Sequence, residues 1–71
     1  MYCRNEAYVA QLAKLSVVAL IQELPAKELK RGQVGTIVED LAPGVYEVEF
    51  SNDQGETYAL AALCADQLMR L

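Results

Sequence analysis

Val45 to Phe50, VYEVEF, is the segment that most restricts the fold. Tyr46, Val48 and Phe50 alternate with Glu47 and Glu49, so one face of an extended strand is apolar and the other acidic. Both flanks carry turn chemistry. Ala42-Pro43-Gly44 precedes it, with proline presetting one corner and glycine accepting a positive φ at the next. Asn52-Asp53-Gln54-Gly55 follows it and predicts a hairpin into Thr57 to Leu63, TYALAAL. A strand held between two short turns belongs to an antiparallel sheet.

The rest of the chain extends that pattern. Val17 to Ile21 is a compact apolar run suited to a first strand, ended by Leu24-Pro25 because proline cannot donate to a ladder. Residues 25–33, PAKELKRGQ, read as a long polar loop with a helical turn, closed by Gly32. Val34 to Glu39 is a second strand rich in β-branched residues. Cys64-Ala65-Asp66 reads as one helical turn, and Gln67 to Leu71 as a short closing strand. Upstream, Asn5 and Glu6 can start a short helix, along which Tyr8, Val9, Leu12 and Leu15 form an apolar stripe over residues 5–15. The expected organisation is an N-terminal extension, residues 1–14, and one domain, residues 15–71. The expected fold class is mainly β: a small five-stranded SH3-like barrel, with Val18, Leu20, Val34, Val48, Phe50, Leu60 and Leu68 supplying much of its core. The oligonucleotide/oligosaccharide-binding barrel is the alternative, but it normally needs more residues.

Charge narrows the function. Six basic and ten acidic residues give a net charge of -4, which disfavours tight non-specific binding to nucleic acid. Residues 1–31 hold five basic and three acidic groups, whereas residues 32–71 hold one basic and seven acidic groups. No apolar run approaches the roughly 18 residues of a membrane span, and no signal-peptide pattern is visible, so a cytoplasmic location is expected. Cys3 and Cys64 match no known disulfide framework. They read as a tail thiol plus a half-buried small hydrophobe, with one disulfide between them as the alternative.

A family resemblance runs through these elements. Val17-Val18-Ala19-Leu20, Glu23-Leu24-Pro25, Leu29, Gly32, Val34-Gly35-Thr36-Ile37-Val38, Tyr46-Glu47-Val48-Glu49-Phe50 and Gly55-Glu56-Thr57 stand in order. In this the chain resembles the small proteins grouped as domain-of-unknown-function family 4926, over about residues 15–71. Its Gly32 to Val38 segment also looks like the strand-turn of KOW-type and other SH3-like barrels. Ser16 stands where an aspartate commonly precedes the valine pair, and residues 1–14 extend beyond the pattern. The resemblance implies a fold and carries no catalytic residue.

The chain has no histidine, which removes the commonest general base, the usual triads and most zinc sites. No catalytic residue, cofactor or metal site is expected. The candidate interaction residues are Lys27, Lys30 and Arg31 in the loop, and Glu47 and Glu49 on the acidic face. Alternate glutamates also suit a plain solvated sheet face. Asn52, Asp53 and Glu56 around Gly55 are too few and wrongly spaced for a calcium loop. Gly32, Gly35, Pro43, Gly44 and Gly55 read as structural turn residues. Gly32 and Gly35 lack the lysine and helix of a P-loop, and instead suit a tight turn into the second strand and close backbone approach.

The expected function is therefore a non-enzymatic protein-interaction module, in one form the antitoxin-like or regulatory partner of a neighbouring gene product. The alternatives are an RNA-associated KOW-like module and a minor subunit of a redox complex. An apolar content of 54% in so short a chain also predicts association, with a second copy or with a different protein.

Overall fold

The computed structural model describes residues 12–71. Five strands follow in order: β1 (Val17–Leu20), β2 (Val34–Ala42), β3 (Val45–Ser51), β4 (Thr57–Cys64) and β5 (Leu68–Arg70). Single 3-10 turns occupy Pro25–Lys27 and Ala65–Gln67, at the two places where the sequence predicts a helical turn. All pairings are antiparallel, and the sheet order is β4-β3-β2-β1-β5.

The sheet is open, and this corrects the expected SH3-like barrel. Closure would require a ladder between the two outer strands. β5 has only three residues, and its partners Val18, Ala19 and Leu20 all lie on β1. The turn after β4 carries the chain to the far edge of the sheet, so β4 and β5 remain outer strands.

Register explains the core. Ile37, Val48 and Ala61 lie opposite one another across β2, β3 and β4 and are buried. The next row is Val18, Gly35, Phe50 and Ala59. Small residues flank Phe50 there, and its ring is wholly buried. A side chain at Gly35 would meet Val48 Cγ1 at 2.7 Å and the Glu49 carbonyl oxygen at 2.8 Å, which is the close approach its sequence context predicts. Gly32, by contrast, has φ 89° and open space around it, so backbone conformation explains it.

Five of the seven expected core residues are buried: Val18, Leu20, Val48, Phe50 and Leu68. Val34 and Leu60 are not; they are 45% and 58% exposed. Each faces outward, Val34 opposite Ala19 and Leu60 opposite Glu49. Leu29 fills the core instead. It sits in the loop read as polar and is turned inward by a two-residue bridge with Leu24, at 2.8 and 3.1 Å. Glu28, just before it, adopts φ 58°, the left-handed conformation that lets so short a segment reverse.

The N-terminal helix expected over residues 5–15 lies largely outside the described residues. Where they begin, the chain is not helical: Lys14 and Leu15 form a turn, and Leu15 has φ 70°. Leu12 packs against the core, and its N–H donates to Tyr46 Oη at 3.3 Å. Cys64 is buried and is not a free thiol, so the reading of it as a half-buried small hydrophobe fails; Cys3 lies outside the described residues. Among the described residues, no helix is long and apolar enough to cross a membrane.

Candidate interaction face

The sheet has one face turned to the core and one turned outward, and the candidate residues of β3 lie on the outer one. Glu47 and Glu49 are half-buried there, alternating with the buried Tyr46, Val48 and Phe50. The register then adds a residue that sequence spacing does not reveal. A bulge between Ile37 and Glu39 skips Val38 and sets Glu39 directly opposite Glu47. Two carboxylates facing each other on adjacent strands destabilise the pairing. Lys14 relieves this only in part: its ammonium lies 3.5 Å from Glu39 Oε1, and both side chains are exposed. That is the sole ion pair among the described residues.

Glu49 accepts a hydrogen bond from Thr57 Oγ1 at 2.5 Å, which fixes its carboxylate along the start of β4. Its row continues to Thr36 and Val17 on one side and to Leu60 on the other. Beyond Val17 the outer face becomes apolar. Val34 and Met69 flank the small Ala19, and Leu71, bonded through its N–H to the Val17 carbonyl, ends the patch. Val17, Val34, Met69 and Leu71 are all substantially exposed. The outer face is thus half acidic, over β2 and β3, and half apolar, over β1 and β5.

The basic candidates stand apart from that face's pairing. Lys27 closes the first 3-10 turn, and Lys30 and Arg31 are exposed after it. Backbone contacts hold this loop. The Lys30 N–H donates to Gln33 Oε1 at 2.6 Å and the Arg31 N–H to Glu23 Oε2 at 3.1 Å. Gln33 Nε2 in turn donates to Tyr58 Oη at 3.2 Å. The fold therefore brings an exposed tyrosine to the basic loop, although 25 residues separate Tyr58 from Gln33. Tyr46 and Phe50 are buried, as packing residues should be.

Gly35, read as a turn residue, lies inside β2, whereas Gly32, Pro43, Gly44 and Gly55 lie in the connections between strands. Pro43 and Gly44 link β2 to β3, and Gly44 has φ 76°. Gly55 has φ 81° in the hairpin after β3, where Asn52 Oδ1 accepts from the N–H groups of Gln54 and Glu56. Asn52 and Glu56 are thereby engaged in turn structure. No cluster of three metal-ligating side chains occurs among the described residues.

An open antiparallel sheet whose outer face is part acidic and part apolar defines a small all-β domain. Residues 14–70 match the family described as Domain of unknown function (DUF4926), and the chain belongs to that family. No curated protein and no solved structure matches it.

Proposed function

We propose that this chain is a non-enzymatic protein-interaction module whose contact surface is the outer face of the sheet and whose partner is a basic protein. The observation that carries this is the opposition of Glu39 and Glu47, with Glu49 on the same face. A like-charge pair works against folding, and such local conflicts gather where a surface is used for something other than stability. The apolar patch of Val17, Val34 and Met69 supplies area that excludes water, and the glutamates supply steering and orientation. A partner encoded beside this chain, held in an antitoxin-like or regulatory complex, fits this chemistry.

The test is capture from the native cell with the full chain and with a Glu47→Lys/Glu49→Lys variant. A basic protein retained by the parent, lost with the variant and weakened at high salt supports the reading. Equal capture by both overturns it.

A second reading, RNA association through the loop, has the Tyr58–Gln33 contact in its favour, because it ties an exposed aromatic residue to the loop that carries Lys30 and Arg31. Salt-sensitive RNA binding abolished by Lys30→Ala with Arg31→Ala is its expected signature.

A further inference from the structure

Cys64 ends β4 where the chain turns away toward the opposite edge of the sheet, and it is buried and disulfide-bonded. The sequence holds one other cysteine, Cys3. Backbone contacts fix Cys64 in place. It pairs with Val45 across the sheet, and its N–H donates to Gln67 Oε1 at 2.8 Å. The next N–H, that of Ala65, donates to the Gly44 carbonyl at 2.9 Å. Cys64 and Val45 form a small cluster separate from the main core. Every described strand lies between Val17 and Arg70, so a bond from Cys64 to Cys3 holds none of them in the sheet.

We infer that Cys64 is bonded to Cys3 of the same chain, and that this bond is a redox-operated clasp. It fastens the N-terminal segment to the end of β4, and the sheet does not need it in order to fold. The inference rests neither on the acidic face nor on the basic loop.

Proximity selects the same chain over a second copy. Leu12 packs against the core, and its N–H donates to Tyr46 Oη at 3.3 Å. Tyr46 pairs with Leu63, the residue before Cys64. The chain is thus anchored close to the end of β4. Nine residue steps separate Cys3 from Leu12, and a chain of that length spans at most about 30 Å. The gap to cross is one tyrosine side chain and two strand positions, well inside that reach. Confined in this way, Cys3 meets Cys64 at an effective concentration in the millimolar range, above that of a second copy in micromolar solution.

The bond closes a loop over residues 3–64, nearly the whole chain. A cross-link of this kind acts mainly on the unfolded chain, whose freedom it restricts. Opening it therefore lowers the melting temperature and leaves the strands as they are. A dithiol reductant supplies the two electrons and two protons. The Cys3–Cys64 S–S bond breaks to two thiols, and the reductant closes to its own disulfide. In an oxidising compartment the segment is held at Cys3 and at Leu12; in a reducing one it is held at Leu12 alone.

Intact mass and tryptic mapping of the full chain without reductant test the connectivity. Trypsin should leave residues 1–4 joined to residues 32–70, in a protein that runs as a monomer on a non-reducing gel. Dithiothreitol should separate the two peptides. Circular dichroism at 10 °C should give the same sheet spectrum with and without dithiothreitol, whereas Tm should fall by roughly 10–30 °C on reduction. Cys3→Ser should melt with the reduced parent and should ignore dithiothreitol. Two free thiols in the air-oxidised parent, a disulfide-linked dimer, or a Cys3→Ser variant as stable as the parent overturns the inference. So does loss of the sheet spectrum on reduction, because the bond would then be part of the fold.

Discussion

The two faces of this sheet are built from the same strands and follow opposite rules. On the inner face, Ile37, Val48, Phe50 and Leu63 are wholly buried, and small residues lie beside the large ring. On the outer face, a row of the same sheet sets Glu39 against Glu47, and Leu60 lies open to solvent beside Glu49. Residues one position apart thus serve different ends, since alternate side chains point to opposite sides. The inner face accounts for why the chain folds. The outer face retains features that folding alone does not require.

If that division holds, inner-face substitutions should unfold the protein, and outer-face substitutions should leave it folded. Phe50→Ala should have the largest effect, a loss of about 3–5 kcal/mol, because a fully buried ring leaves a cavity beside Gly35 and Ala59. For a domain this small that approaches the whole stability. Urea denaturation followed by circular dichroism measures it; a change below about 1 kcal/mol would mean that the inner face is not the core.

Leu29→Ala should cost about 2–4 kcal/mol, although Leu29 belongs to a loop and to no strand. Its neighbour Lys30 gives the internal comparison. Lys30→Ala, at an exposed position, should stay within about 0.5 kcal/mol of the parent. Equal effects at the two sites would show that the loop is not anchored through Leu29.

Gly35→Ala comes next, at about 1–3 kcal/mol, because the added methyl group meets Val48 Cγ1 and a backbone carbonyl that cannot rotate away. Gly32→Ala has no such clash and pays only for its backbone conformation. The Gly35 variant should therefore be the less stable of the two in parallel denaturation curves. The reverse order would assign Gly35 a turn role and remove the close approach.

How much of this was legible in the sequence depends on the range over which each feature is decided. Alternation along VYEVEF separates Glu47 and Glu49 from Val48 and Phe50 correctly, because the period of two is local. The same reasoning misplaces Val34 and Leu60, whose sides are set by pairing with Ala19 and Glu49 across the sheet. Leu60 lies in an Ala-Leu run in which every residue is apolar, so alternation carries no information there. Leu29 is hidden by charged neighbours, and only its bridge to Leu24 turns it inward. Closure of the sheet escapes local reading for the same reason: five strands are countable, but which edges meet is a long-range property. Glu39 joins the outer face only through the bulge after Ile37, and no residue type there announces one.

The smallest expected effect is the one most specific to the outer face. Glu47→Lys removes the like-charge opposition with Glu39 and replaces it with an attractive pair. Cross-strand pairs of this kind contribute about 0.2–1 kcal/mol, so the variant should be more stable than the parent. In a chain of this size that raises Tm by roughly 1–8 °C. Lowering the net charge would itself stabilise a chain at -4, and a second substitution separates the two causes. Asp53→Lys makes the same change of charge in the exposed hairpin loop, where no strand residue opposes it. Glu47→Lys should therefore exceed Asp53→Lys at low salt, and the difference should shrink towards 1 M salt, where the screening length falls to about 3 Å. Equal gains would mean that only net charge matters and that the opposed glutamates carry no local conflict. A larger gain at Glu47, accompanied by loss of the captured basic partner, identifies a carboxylate that is kept at a cost to the fold because the outer face uses it.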